Sequence, residues 1–370
     1  MGISNIIQLG FKELRGLSRD HILIVLIIYT FTLNVYIATT AIPDTLNKAP
    51  ISIVDEDVSP LSARIASAFY PPRFTVPQVI SASEVDRRMD AGLDTFALDI
   101  PPNFQRDLLA GRSPEIQVSV DATRMIQAFN GSGYVQNIVS DEVTAFLQRY
   151  RSTSSLPVEL VLRSRFNTEL SRPWFQAIVD LIDSITILSV ILTGAALIRE
   201  REHGTTEHLL VMPVSPAEIM VSKIWSMGSV VLLVSSLSIT VVIEGFLEVP
   251  INGSIALFLV GIALHLFATT SMGIFLATIA GSMPQFGLLL ILVLLPLEVL
   301  SGGLTPRESM PLLVQDLMLA APNTHFVMLA QSILFRGAGI EVVWPQFAAL
   351  FGIGAALFTF ALGRFRKSLK

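Results

Sequence analysis

The chain has 370 residues, of which 52% are hydrophobic and only 15% are charged, and its mean hydropathy is +0.63. Soluble domains are about one quarter charged, so this composition argues against an ordinary soluble protein and indicates a membrane protein. The formal net charge of −5 points to no particular partner. Cysteine is absent, which excludes a disulfide framework and a Cys-ligated zinc or iron–sulfur site.

Six apolar runs are long enough to cross a bilayer as helices. The first follows an amphipathic, basic segment at residues 1–20, and this basic flank would also suit a cleaved signal peptide. Its apolar run exceeds the usual signal core of about 7–15 residues, so we favour an uncleaved span over residues 21–42. The predicted spans are 22–42, 174–198, 224–243, 254–280, 285–304 and 342–362.

The polar region at 43–172 has the pattern of a small α/β domain. Ile51–Asp55, 95–100 and 115–120 are predicted strands. Helices are expected after Ser59, which precedes a proline, and after Ser83, with a longer one over 123–149. Alternating strands and helices of this kind favour an α/β unit with a core of its own.

Ionisable residues inside spans are candidates for a translocation path, because charge at membrane depth is costly and usually faces a cavity or a partner. Four such residues are Asp183, Glu244, His265 and Glu298. The alternative is that acids such as Glu298 lie solvated at the membrane interface, and that His265 forms a hydrogen bond between helices.

Residues 305–340 are apolar but interrupted by polar residues and prolines. Broken helices at membrane depth are tolerated only against protein or a water-filled cavity. This segment is therefore predicted to form re-entrant or interfacial helices on the outer side.

Basic residues near the spans predict the orientation. They cluster before the first span, between the second and third spans, and in the tail at 364–370. With six spans all three clusters face one side, so both termini are predicted to be cytoplasmic. The 43–172 domain is then extracytoplasmic, which in a bacterial inner membrane means periplasmic.

No catalytic or metal-binding motif is present. Leu300-Ser301-Gly302-Gly303-Leu304 resembles the signature of ABC ATPases, but the chain contains no Gly-Lys pair and therefore no Walker A loop to bind phosphate. The histidines lack the spacing of a zinc site, and no nucleophile elbow occurs. We therefore expect no ATP hydrolysis, no bound cofactor and no metal.

The connection between the second and third spans, 199–223, has alternating charges and a helix break. Ser215 and Pro216 have the pattern of a helix start, so the segment is predicted to form two short helices along the membrane surface. Their acidic, His-bearing face would suit another protein. The residues proposed for this contact are Arg199, Glu200, Arg201, Glu202, His203, Gly204, Thr205, Glu207, His208, Met212 and Pro213.

These residues resemble the corresponding connection of ABC-2 type export permeases, and the order of one span, a large outer domain and five spans is similar as well. The resemblance implies that 199–223 is the coupling segment that seats in a separate ABC ATPase, which uses the ATP. It further implies a second permease half, either identical or homologous, and a periplasmic membrane-fusion adaptor of the HlyD type. The lipid bilayer is the remaining partner, and no nucleic acid is expected.

Two other functions stay open from the sequence. One is a non-transporting scaffold of the cell envelope, whose outer domain would bind a partner. The other is a proton-coupled carrier, which the intramembrane acids would suit, although no inverted repeat is evident.

Overall fold

The computed structural model describes residues 2–40, 46–150, 172–202 and 214–368. The chain divides into two compact units. One combines Met1–Ile42 with Ser164–Lys370, and the other is Pro43–Arg163. The larger unit is a helical bundle and the smaller one is built on a β-sheet.

The chain begins with two helices joined at Asp20. α1 (Ile3–Ser18) corresponds to the predicted amphipathic segment. The Asp20 carboxylate caps α2 (His21–Thr40) by accepting the Leu23 N–H at 3.2 Å. α2 is long and apolar enough to cross a membrane, which confirms the first predicted span as a candidate.

The smaller unit contains a four-stranded sheet. Its strands are β1 (Ile51–Asp55), β2 (Gln78–Val79), β3 (Phe96–Ile100) and β4 (Gln117–Val120). The spatial order is β2-β1-β3-β4, with β1 parallel to both neighbours and β4 antiparallel to β3. The alternating pattern predicts β1, β3 and β4, whereas the two-residue β2 is too short to give a pattern.

Four helices accompany the sheet, and two of them differ from the prediction. The helix predicted after Ser83, α4 (Val85–Asp90), is preceded by a 3-10 turn at Ala82–Glu84, and it is this turn that Ser81 caps, in a capping box with Glu84. A further helix that the sequence analysis missed follows Asn103. The helices are α3 (Pro60–Ala68), α4 (Val85–Asp90), α5 (Phe104–Leu109) and α6 (Met125–Tyr150).

The smaller unit has its own hydrophobic core. Ile53 and Leu98 face each other across β1 and β3 and are fully buried, as is Phe96. Burying one such side chain stabilises the fold by about 1.5–3 kcal/mol. α6 packs against α3, and an ion pair at 2.7 Å between Arg64 and Glu142 joins the two helices.

Three long helices form the middle of the bundle. α7 (Arg172–Glu202), α8 (Pro216–Phe246) and α9 (Ile255–Ile279) all exceed the length needed for a membrane span. α7 is the most buried of the candidate spans, and it packs against both α8 and α9. The central helix of the bundle therefore leads directly into the 199–223 connection.

The last part of the bundle is less regular. α10 (Met283–Val299) has only 17 residues, which is at the lower limit for crossing a membrane. The fifth predicted span, 285–304, is therefore wrong at its end: the chain leaves the helix at Leu300, and Gly302 adopts a φ of 98° that favours glycine. α13 (Ile340–Ser368) is the final helix and continues into the basic tail.

Between them lie two helices bent by 89°, α11 (Leu312–Met318) and α12 (Pro322–Phe335). The bend matches the predicted break in 305–340, and Pro322 stands at the first turn of α12, where a proline is tolerated. The described residues contain five helices that could cross a membrane, or six if the bent pair is one span.

Candidate functional site

The structure corrects one of the two surface helices predicted in the 199–223 connection, the one after Ser215, and the other lies outside the described residues. Residues 199–202 are the last turn of α7, because Arg and Glu are good helix formers and simply continue it. Ser215 and Glu218 form a capping box at the start of α8, so this helix start belongs to a long span. Seven of the proposed contact residues lie outside the described residues: His203, Gly204, Thr205, Glu207, His208, Met212 and Pro213.

The end of α7 is tied to three other helices. The guanidinium of Arg199 binds the Asp20 carboxylate at 2.9 Å, at the start of α2. Arg201 donates to the carbonyls of Ala277 and Ala280 at the end of α9, where a cation is favoured by the helix dipole. Glu202 accepts the first N–H of α10, from Met283, at 3.0 Å. These charges thus hold the ends of the helices together.

A buried ammonium joins the two sides of the connection. The Nζ of Lys223, in α8, lies 2.8 Å from Glu200 in α7 and 2.9 Å from Glu13 in α1. Only 1% of the Lys223 side chain is exposed, so the two carboxylates provide its charge compensation. Lys12 adds a bond of 2.7 Å to Glu200. Burial raises the pKa of Glu13, and the attraction of Lys223 opposes this rise.

α1 lies across the first turns of α8. The Trp225 indole donates to the Ile6 carbonyl at 3.2 Å, and its ring packs directly on Gly10. A Cβ at Gly10 would collide with that ring. The backbone N–H of Gly2 donates to Glu218 at 2.6 Å. The sequence gives no signal for these contacts beyond the amphipathic pattern of α1.

A polar face of α7 runs through the bundle. His265 is fully buried, with its Nε2 2.9 Å from the Thr186 hydroxyl and its ring stacked 4.2 Å from that of Phe326. One turn further along α7, Ser189 donates to Thr269 at 2.7 Å. His265 therefore forms a hydrogen bond between α9 and α7, which is the alternative to a place in the translocation path.

Three acids lie towards the start of α7. One carboxylate oxygen of each residue, Asp180, Asp183 and Glu298, is buried and forms no hydrogen bond within the described residues. The other oxygen of Asp180 accepts from the Gln176 amide at 2.9 Å. Asp183 is close enough to the other two for their charges to repel. Glu244, in contrast, is exposed on α8. Of the four path residues proposed from the sequence, Asp183 and Glu298 are thus neighbours, whereas His265 lies between helices and Glu244 is exposed.

A cavity of 820 Å³ opens at the same end of the bundle. Its walls come from the start of α7, the glycine-rich turn after α10, the bent helix pair and the start of α13. Leu300–Leu304, the segment that imitates an ATPase signature, forms part of this wall. Gly303 allows this segment to pack closely on α7, since a Cβ at this position would press on Val179.

Comparison with known proteins gives the family. A sequence model described as "ABC-2 family transporter protein" matches residues 21–362. This chain belongs to that family. The resemblance drawn from the 199–223 connection and the order of spans is therefore confirmed.

Three relatives from Escherichia coli (strain K12) are similar over most of their length. "Inner membrane transport permease YhhJ" is 60% identical over 99% of this chain and 98% of that protein. "Probable multidrug ABC transporter permease YbhR" is 26% identical over 97% of each chain. YbhS, which has the same description, is 28% identical over 70% of this chain and 69% of its own. Family membership makes this chain a transport permease, not itself an enzyme, and implies an ABC ATPase as its partner.

Proposed function

We propose that the chain is the transmembrane half of an ATP-driven exporter in a bacterial inner membrane. A separate ABC ATPase would hydrolyse the ATP, and this chain would bind no cofactor. A drug-like or lipophilic substrate is supported by the description of YbhR as a probable multidrug permease. Two such halves, identical or homologous, would enclose the path.

The observation that carries the proposal is the Lys223 ammonium between Glu200 and Glu13. It joins α7 and α8, which flank residues 203–213, and adds α1 to the same block. Because the three helices are held by buried charges, a force applied to 203–213 would move their ends together. A partner that binds this segment would therefore transmit its movement to the central helix α7.

The transport step follows as a rigid-body change. Closure of two ATPase subunits on ATP would displace the coupling segment and tilt α7 and α8 relative to α9 and α13. Packed helices change between discrete arrangements more readily than they deform continuously. The path would then open at the end of the bundle where α7 begins.

The orientation and the remaining partners belong to the same proposal. Basic residues around α1, around 199–223 and at the end of α13 favour a cytoplasmic location for both termini and for the end of the bundle where α7 ends. The 43–163 unit would be periplasmic and would contact an HlyD-type adaptor. Its separate core supports a role as a docking domain.

Reconstitution into proteoliposomes tests the function. The full chain is expected to move a lipophilic dye outward only when ATP and the cognate ATPase are both present. Transport driven by a proton gradient without the ATPase would instead indicate a carrier, for which the half-buried Asp183 and Glu298 are the candidate groups. If the complex is folded but transports nothing under either condition, the result would favour the non-transporting scaffold.

A further inference from the structure

The cavity at the start of α7 has an unusual charge content. Two guanidinium groups line it, those of Arg307 and Arg336, together with one carboxylate, Glu308. Within the described residues neither arginine forms an ion pair. Among the described residues, the lining of the cavity therefore carries a net positive charge that no ion pair compensates.

Arg307 is poorly satisfied. Its Nε is buried and has no hydrogen-bond partner within the described chain. Its terminal nitrogens donate to the Met328 sulfur at 3.5 Å and to the Gln315 carbonyl at 3.4 Å, and the second distance is long for a bond to oxygen. Neither acceptor carries a charge. Arg307 is half-buried, and a guanidinium that is partly withdrawn from water without a counterion is costly, so an anion in the cavity would stabilise this arrangement.

The rest of the cavity lining mixes polar side chains, such as Gln331 and Ser332, with apolar ones. Phe175, Val327 and Val342 contribute hydrocarbon surface, and the 820 Å³ volume is within the range of small-molecule sites, about 300–1,000 Å³. Leu304 and Val342, on the cavity wall, are 52% and 62% exposed. Exposed apolar side chains on the cavity wall favour a ligand that carries a hydrocarbon tail.

We propose that this cavity binds the anionic headgroup of an amphiphile, with Arg307 and Arg336 as the binding residues and the tail directed past Leu304 and Val342. Arginine suits this role because its planar fork of donors matches phosphate and carboxylate groups. Gln346 on the same wall has a buried Oε1 that forms no hydrogen bond within the described residues, and this oxygen would accept a hydrogen bond from a hydroxyl group of the headgroup. The inference concerns binding at equilibrium, beyond the proposed export function, and needs neither ATP nor the ATPase.

Native mass spectrometry of the full chain in detergent tests the proposal. Phosphatidylglycerol is compared with phosphatidylcholine of the same acyl chains, and inorganic phosphate is added as a competitor. We expect phosphatidylglycerol to bind at least about tenfold more tightly than phosphatidylcholine, because both lipids carry a phosphate but the choline ammonium of the second cancels its charge and would be repelled by the arginines. Equal binding of the two lipids, or displacement of the lipid by phosphate at equal concentration, would overturn the proposal.

Variants locate the binding. Arg336→Gln, at an exposed position, and Arg307→Gln should each remove most of the preference for phosphatidylglycerol, and Arg307→Lys should keep part of it. Arg15→Gln is the matched control, since it removes an exposed arginine from α1 at the other end of the bundle. A preference that persists in Arg336→Gln and in Arg307→Lys Arg336→Gln, or that falls equally in Arg15→Gln, would refute the site even if Arg307→Gln does not fold.

Discussion

The charged side chain of Lys223 is buried, with almost no exposed surface. Glu13 and Glu200 compensate it from two different helices. Removing one member of a buried ion pair is more costly than the pair's own contribution, because the remaining charge stays buried without a partner. At Lys223 the loss would leave two buried carboxylates close together.

Lys223→Met is therefore expected to destabilise the protein by about 3–5 kcal/mol. Lys12→Met is the matched control, because its side chain is 53% exposed and its single ion pair with Glu200 contributes about 0–1 kcal/mol. Thermal unfolding of the purified chain measures the difference. If both variants unfold at the same temperature, Lys223 does not hold the helices together.

Glu202 and Glu207 are two acidic residues that are predicted to contact the ATPase. Replacing both with Lys should lower ATP-driven transport and reduce co-purification of the ATPase, because the charge of the contact surface is reversed, while membrane insertion stays unchanged. The control is Glu341→Lys, an exposed acid at the start of α13. Normal ATPase recovery and turnover in the double variant would contradict the coupling assignment.

At the level of elements, α1 is more than an amphipathic segment on the membrane. Gly10 lets it approach Trp225 closely, and Glu13 reaches the buried Lys223. The helix therefore binds the same part of α8 that adjoins the coupling segment. If α1 contributes to the rigidity of this end, loosening it should weaken coupling without altering the path.

Gly10→Ala tests this contribution. The added methyl group would collide with the Trp225 ring, which is held by its bond to Ile6, so α1 should detach from α8. Gly16→Ala on the same helix has no atom within 4 Å of the new methyl group and should gain up to about 1 kcal/mol of helix propensity. Trp225 fluorescence and ATP-driven transport should change in Gly10→Ala only. Equal behaviour of the two variants would show that the packing of α1 is not needed.

The sequence predicts most helices but few of the contacts between them. Span positions follow from hydropathy, and the cap at Ser215 follows from the local pattern, because both depend on neighbouring residues. The Lys12 bond to Glu200 joins residues 188 positions apart, and no local pattern reports it. The end of α10 does not follow from hydropathy, because the uncharged segment Leu300–Leu304 extends the run without a charge after the helix has ended. The acids Asp183 and Glu298 were recognised individually, but their proximity required the fold.

At the level of the whole molecule, the two units have separate cores. The described part of the smaller unit, 46–150, should therefore fold as a soluble fragment with a cooperative thermal transition. Phe96→Ala, at a fully buried position, should destabilise it by about 3–5 kcal/mol. Val79→Ala is the control, because Val79 is 72% exposed. A non-cooperative transition in the wild-type fragment would show that this unit needs the bundle to fold.

The orientation of the chain can be tested with single cysteines, since the natural sequence has none. Ser113 in the smaller unit and Ser309 beside the cavity are exposed, and so are Ser4 and Ser18 on α1. The basic flanks predict that Ser113→Cys and Ser309→Cys react with a membrane-impermeant thiol reagent added to intact spheroplasts, whereas Ser4→Cys and Ser18→Cys react only after lysis. The same substitution at all four positions makes the variants controls for one another. Labelling of α1 in intact cells would place the coupling segment outside the cytoplasm, where no ATPase could reach it, and would contradict the proposed export function together with the topology.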